Sequence, residues 1–486
     1  MKPGDETTTK NKGETMRRTL AALLFAVALS SCMIGPNYRR PPVRTPEAWR
    51  FEDTRVKDVI NTAWWKQFGD PVLDGLIETA LKENKDVLIA AARVEKFMGS
   101  YAVVRAAQFP QVSGAALPLR EGATKYTSPA WPPGTPHTFW DLRAFLSASW
   151  QMDLWGQLRR ASEAARADLL ATDEGRLGVI LTVVTTVASA YTDLLDLDKQ
   201  LDIARRTAAS REHTLRLFTL RFDRGLVSEL ELRQVESEYR AALATIPFLE
   251  KLIAQQEDAL SVLLGRNPGP IPRGRSLDQL VLPAVPAGLP SELLKRRPDI
   301  RQAEQGLIAA NARIGVARAL YFPTLTLTGT YGVESTGLTS LFSGPARMWS
   351  YPGSVTVPLF TAGAIAGQVK VAESVQKESL FRYQQVIQQA FREVEDGLID
   401  QAKSREQFQA QRQQVVALQG YARLARLRYD NGYTSYIEVL DAERSLFNAE
   451  LSYAQTQGVL FRALVNLYKS MGGGWVTEAE RMAGQQ

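Results

Sequence analysis

Leu142-Arg143-Ala144-Phe145-Leu146-Ser147-Ala148-Ser149-Trp150-Gln151-Met152-Asp153 is the stretch that decides the fold. Leu142, Ala144, Leu146, Ala148, Trp150 and Met152 share one face. Arg143, Ser147, Ser149, Gln151 and Asp153 share the other, with Phe145 the one exception. A period of two held over about ten residues describes a strand with one apolar and one wet face. Two later segments repeat it: Leu325, Leu327, Tyr331 and Val333 against Thr324, Thr326, Thr328 and Thr330, then Tyr351, Val355, Val357 and Leu359 against Ser350, Ser354 and Thr356. A fourth strand, near Gln111 to Arg120, is weaker, because Pro118 and several small residues interrupt it.

Alternation alone fits a soluble sandwich as well as a membrane barrel. Strand length, an export signal and aromatic ends (Trp140, Trp150, Tyr331, Trp349, Tyr351) favour the barrel. Four strands cannot close a barrel, and an open edge in lipid leaves backbone groups unsatisfied. Several copies of the chain must therefore share one barrel.

The export signal lies upstream. Met16-Arg17-Arg18 precedes an apolar run from Leu20 to Leu29 and then Ser30-Ser31-Cys32. That run is too short for a bilayer, which needs about 20 apolar residues, and has the layout of a signal peptide. The polar stretch Met1 to Glu14 reads as an upstream start-site overcall, with translation beginning at Met16. Cys32 is the only cysteine, so an intramolecular disulfide is excluded.

Around the strands the chain repeats itself. Arg105-Ala106-Ala107-Gln108-Phe109-Pro110 returns as Arg318-Ala319-Leu320-Tyr321-Phe322-Pro323, roughly 210 residues later and far beyond a solenoid period. Arg221-Phe222-Asp223-Arg224-Gly225 returns as Arg428-Tyr429-Asp430-Asn431-Gly432. After each strand pair comes a glycine junction, Asp153-Leu154-Trp155-Gly156 and Pro358-Leu359-Phe360-Thr361-Ala362-Gly363, and then proline disappears until Pro247 in one half and altogether in the other. Ile180, Val184, Val187, Tyr191, Leu194 and Leu201 keep a coiled-coil spacing broken at Asp198, echoed by Ile387, Phe391, Val394 and Leu398. These features predict two long helices turning at Gly225 and Gly432, where a C′ glycine adopts the left-handed conformation cheaply. Ser228 with Glu231, and Ser435 with Glu438, read as capping boxes for the return helices. Those helices are expected to end near Leu264 and Lys469, the first bent at Pro247. One further helix is expected from Ser291 to Leu320.

The predicted architecture is mainly α with a transmembrane β-barrel, one unit of coiled-coil helices and strand pair written twice. Its divisions are a signal peptide over 1–31, an N-terminal segment over 32–70, repeats over 71–266 and 291–470, a linker over 267–290 and a tail over 471–486. The strand pairs occupy 110–153 and 324–360.

Composition excludes other classes. Net charge of +6 comes from 58 basic and 52 acidic residues spread along the chain, with no compact basic run for nucleic acid. The two histidines, His137 and His213, lie in different elements and read as solvated. No Walker loop, H-E-x-x-H or G-x-S-x-G occurs, so neither catalysis, metal nor cofactor is expected.

In order and spacing, Cys32-Met33-Ile34-Gly35-Pro36-Asn37-Tyr38-Arg39-Arg40-Pro41, Trp65-Lys66-Gln67-Phe68-Gly69-Asp70-Pro71, Leu294-Lys295-Arg296-Arg297-Pro298-Asp299-Ile300 and the two tip motifs resemble the TolC-like outer membrane efflux protein family, in its lipoprotein branch. Leu29-Ser30-Ser31-Cys32 resembles a lipobox, implying acylation at Cys32 (palmitate) and outer-membrane retention. The resemblance implies a homotrimer, with a 12-stranded β-barrel continuous with a periplasmic α-barrel. It also implies a periplasmic adaptor and an inner-membrane transporter of the resistance-nodulation-division class as partners. The implied function is the passive exit duct for small toxic compounds or drugs; protein secretion of type I and metal-ion efflux are the alternatives, and a periplasmic coiled-coil scaffold without a pore is the rival from another class. By the same resemblance Asp441 and Glu438 form the periplasmic gate, with Glu231 and Gln234 in the matching first-half positions. Tyr429, Arg428 and Arg221 become candidate ties holding the tips closed.

Overall fold

The computed structural model describes residues 33–43, 45–46, 48–50, 64–122, 124, 126, 134, 136–283 and 290–472. Cys32 and the expected signal peptide lie outside them. The chain divides into two compact units: Met1–Pro41, Glu95–Ala171 and Glu304–Arg382 in the first, Pro42–Val94, Thr172–Ala303 and Tyr383–Gln486 in the second.

In chain order the helices are α1 (Pro71–Glu83), α2 (Lys85–Ala106), α3 (Gln157–Asp223), α4 (Glu229–Leu263), α5 (Pro290–Arg296), α6 (Pro298–Ala319), α7 (Ala364–Asp430) and α8 (Tyr436–Ser470). The strands are β1 (Gln111–Gly122), β2 (Thr138–Met152), β3 (Thr324–Ser335), β4 (Arg347–Ser350) and β5 (Gly353–Thr356). Helices α3 and α7 have 67 residues each, about 100 Å at 1.5 Å per residue. Helices α4 and α8 have 35 each. The duplication is thus exact to the residue in both helix pairs.

The first unit holds one antiparallel sheet in the order β1-β2-β3-β4, with β5 also pairing β3. Its register makes the sequence pattern continuous across strands. Leu146 faces Tyr331, Trp150 faces Leu327 and Met152 faces Leu325. On the other surface Ser147 faces Thr330, Ser149 faces Thr328 and Gln151 faces Thr326. Across β2 and β3 one face is apolar and the other mainly hydroxylic, whereas β1 puts Leu117 and Leu119 on the hydroxylic side, opposite Arg143 and Asp141. The apolar face is not buried within the chain, since Val112, Leu146, Leu327, Tyr331 and Val355 are all exposed. Among the described residues, the outer sides of the two edges, β1 and β4/β5, have no strand partner.

Two strand expectations change. β1 runs its full length through Pro118, which an edge strand tolerates because one side makes no ladder. The last strand is broken instead, into β4 and β5 at Tyr351-Pro352, where Pro352 has no N–H to continue the pairing and only its carbonyl accepts, from Thr328 N at 3.0 Å.

In the second unit the coiled-coil positions are buried as the spacing requires: Ile180, Val184, Val187, Tyr191 and Leu194 on α3, Ile387, Val394 and Leu398 on α7. Trp65-Lys66-Gln67-Phe68 sits in a short 3-10 segment, where Trp64 stacks on Tyr468 at 4.7 Å and Phe68 meets Phe461 edge-on at 5.7 Å. Asp70 is fully buried and caps α1 through Val72 N; it also accepts from the Tyr191 hydroxyl and from Arg275 N. Burial and this carboxylate push the Tyr191 hydroxyl pKa up.

The single helix expected over Ser291 to Leu320 is two helices, α5 and α6, parted at Pro298. Proline opens α6 at the position where its missing N–H costs nothing. Arg297 at the break is held by Ser470 O at 2.8 Å, Glu393 at 2.7 Å and Asp299 at 2.6 Å. Its guanidinium closes the C-terminal end of α8, the negative end of that helix dipole. By contrast, α4 continues through Pro247.

The helix tips as candidate gate

Both tips turn on glycine. Gly225 has φ +68° and Gly432 φ +73°. In the first, Leu226 N donates to Arg221 O and Gly225 N to Phe222 O, each at 2.8 Å. In the second, Tyr433 N donates to Arg428 O and Gly432 N to Tyr429 O, each at 2.9 Å. This is the Schellman arrangement, formed twice.

The tips close around one apolar cluster: Phe218 from α3, Val235 from α4, Ala425 from α7, and Tyr436, Val439 and Ala442 from α8. Phe218 and Tyr436 lie 4.4 Å apart by ring centres, and Tyr429 meets Tyr436 edge-on at 4.9 Å. The Arg221 guanidinium donates to the Tyr429 hydroxyl at 2.8 Å, tying the end of α3 to the end of α7.

The caps differ. At Ser228 the box is complete: Glu231 N donates to the serine hydroxyl, and the Glu231 carboxylate accepts from Ser228 N at 2.9 Å. At Ser435 it is not formed, correcting the sequence expectation. No side-chain bond caps α8 there, because Glu438 is taken by Arg428 at 2.8 Å and by the Thr434 hydroxyl. Arg428 offers the carboxylate a full opposite charge, which the Ser435 backbone N–H does not.

Asp441, expected in the periplasmic gate, is half exposed and pairs with Arg444 at 2.7 Å, one turn along α8. Such a surface pair is worth about 0–1 kcal/mol and leaves the carboxylate available. Gln234, Glu238, Tyr421, Glu438, Asp441 and Arg444 line one groove of about 510 Å³. The structure therefore brings Asp441, Glu438, Arg428 and the first-half position Gln234 together. Glu231 instead serves its own helix.

Sequence reasoning missed a buried polar layer beneath the tips. Arg426 donates to the Tyr436 hydroxyl at 3.1 Å, and Arg211 donates to Glu238 O at 2.7 Å while stacking over Phe447. Glu443 belongs to the same region; burial pushes its carboxyl pKa up, and the attraction of Arg426 and Arg211 opposes the rise. The signal was available, since Glu443 falls seven residues beyond Tyr436 on the same apolar stripe of α8. Among the described residues no group of three or more His, Cys, Asp or Glu side chains could hold a metal ion. His137 is half-buried rather than solvated; His213 is exposed.

An exposed apolar sheet face and helical hairpins with paired polar tips are the features of an outer-membrane channel chain. The chain matches the model of the family described as outer membrane efflux protein over residues 76–266 and 289–473, and it belongs to that family. It is 36% identical over 474 residues to the toluene efflux pump outer membrane protein TtgF of Pseudomonas putida, covering 95% of this chain and 98% of that one. Against the cation efflux system protein CusC of Escherichia coli, identity is 33% over 94% of this chain and 98% of that one. A solved structure of the MtrE outer membrane channel of Neisseria gonorrhoeae, in its open state, superposes with a TM-score of 0.83 at 30% identity, over 91% of this chain and 99% of that one. The protein is an outer-membrane efflux channel.

Proposed function

We propose that this chain is one of three identical protomers of the outer-membrane exit duct of a tripartite pump. A periplasmic adaptor couples it to an inner-membrane transporter of the resistance-nodulation-division class, and small toxic compounds or drugs leave through it passively, with no catalytic step. Three copies pool their strand sets into a 12-stranded barrel, and acylated Cys32 adds a lipid anchor. On this reading 71–266 and 291–470 are the two repeats, 267–290 joins them, 32–70 carries the anchor and 471–486 is a tail.

The observation that carries the reading is the register, which sets Val112 of β1, Leu146 of β2, Leu327 and Tyr331 of β3 and Val355 of β5 on one exposed face, and leaves the outer sides of β1 and β4/β5 without a strand partner among the described residues. Lipid is the solvent such a face suits, and only closure with further copies satisfies the edges. At the tips, Asp441 and Glu438 form the gate, with Glu231 as a structural cap beside them. Arg221–Tyr429 and Arg428–Glu438 are the ties that hold it narrow. Like charges from three copies around one axis favour cations.

The test is reconstitution of the purified full chain into planar bilayers, with light scattering in detergent. Trimeric particles and discrete, cation-preferring conductance steps are expected. A monomer that inserts without conducting would end the proposal.

A further inference from the structure

The duplication also makes a prediction about a contact one chain cannot make alone. At the first junction Trp155, just after β2, meets Phe322, just before β3, with ring centres 4.9 Å apart. Its indole N–H donates to Pro323 O at 2.8 Å. The two corners are neighbours because β2 ends where β3 begins, Met152 facing Leu325.

At the second junction Leu359-Phe360 stands in the place of Leu154-Trp155, and Phe109-Pro110 before β1 stands in the place of Phe322-Pro323. These belong to opposite edges of the sheet, β4/β5 and β1. Neither finds its counterpart within the chain: Leu359 is 93% exposed, Phe360 88% and Phe109 54%. Bulky apolar residues bared at a conserved architectural corner are a docking surface in want of an occupant.

We propose that the occupant is a second copy of this chain, Phe360 packing on the Phe109-Pro110 corner of the partner subunit as Trp155 packs on Phe322-Pro323 within one. Joining the β4/β5 edge of one copy to the β1 edge of the next is the only step needed to bring them together. The inference rests on the shared-barrel reading and adds the residues that seal it. The inter-chain corner is the weaker one. Phenylalanine has no N–H to give Pro110 O of the partner subunit, and Thr361-Ala362, with Ala362 at φ +46°, lengthens the turn by two residues.

A short bismaleimide applied to the full chain carrying Phe109→Cys and Phe360→Cys tests this. Dimer and trimer bands on a denaturing gel are expected from the double variant and from neither single variant. Trp155→Cys with Phe322→Cys serves as the internal control, cross-linking within one chain. Light scattering in detergent runs alongside. Trimers that yield no cross-linked bands while the control reacts would overturn the contact. Monomers would overturn the shared-barrel reading beneath it. Phe360→Ala is a second, independent arm: a lower temperature of trimer dissociation on gels is expected, and no shift would count against the contact.

Discussion

The two halves of this chain share helix lengths to the residue but differ at both ends of their long helices. At the first strand-to-helix junction the N-terminal segment lies across the corner. Ile34 N donates to Trp155 O, and the buried Arg160 at the start of α3 donates to Ile34 O and Gly35 O at 3.3 Å and to Asn37 Oδ1 at 2.7 Å. Asn311 of α6 holds Pro36 O at 2.8 Å, and Arg40 and Tyr38 both reach Glu304. Gly35, at φ +103°, and Gly315 approach so closely that a Cβ on Gly35 would stand 2.5 Å from Gly315 Cα. In the second half the position matching Arg160 is Gly367, which has open space around it. Copies of one ancestral unit diverge where only one of them has a partner segment to receive.

Changing Arg160 should have the largest effect. Arg160→Ala leaves four acceptors without their donor (Ile34 O, Gly35 O, Asn37 Oδ1 and the Glu163 carboxylate) and opens a hole, at a cost of about 3 kcal/mol or more. It should also open residues 33–41 to protease, as peptide mapping would show. Gly367→Ala should instead stabilise α7 by up to about 1 kcal/mol in chemical denaturation. A loss there would mean that a neighbouring copy fills the space.

Next comes a buried carboxylate. Asp196 on α3 lies against Gly458 of α8, hydrogen-bonded by Gln200, with Asp193, Lys199 and Arg462 nearby; its second-half counterpart, Lys403, is exposed and paired with Glu406. Burial raises the Asp196 pKa from 3.8 to about 6. A carboxyl raised in the folded state contributes stability in full below its unfolded pKa, and that contribution is lost as pH rises through the folded one. A fall in stability between roughly pH 4 and pH 6 is therefore expected of wild type in thermal melts, and Asp196→Asn should flatten it. An unchanged slope would assign the fall to other groups, Glu443 first among them.

At the tips, Ser228→Ala should cost about 1 kcal/mol, read as faster amide exchange in the first turn of α4, while Ser435→Ala costs a few tenths. Equal costs would break the distinction between a closed box and a diverted one. The smallest effect on stability, and a visible one on transport, is expected from Asp441→Ala. Single-channel conductance should rise and cation preference fall, because the change removes a half-exposed charge and leaves the cluster of Phe218, Tyr436 and Val439 intact. If both stay as in wild type, Asp441 does not belong to the gate.

The long helices and their turns were legible because proline-free runs, seam spacing and paired glycines are local signals, each written twice. Strand β2 was legible because period two has no other explanation. What escaped depended on distant partners. The break at Pro298 was hidden by apolar residues on both sides that suit one helix. Ser435 failed to cap because Arg428 and Thr434, ten and four residues from Glu438, compete for its carboxylate. The N-terminal segment announced itself as a motif, but its seat on Arg160, Asn311 and Gly315 comes from residues more than a hundred positions away. For the same reason the candidate gate was only half readable. Acidic residues could be counted, but which of them were already engaged could not.

Pro118 sits on β1, whose outer side has no strand partner among the described residues, and a proline makes that rim a poorer template for any stray extended peptide. On the proposed shared-barrel reading, that rim stays uncovered until a neighbouring copy arrives, which is the stage at which edge-to-edge pairing is a hazard. The seam would then be slightly short of hydrogen bonds, but wrong pairings would end after a few residues, whereas the right neighbour would bring enough apolar surface to carry the gap.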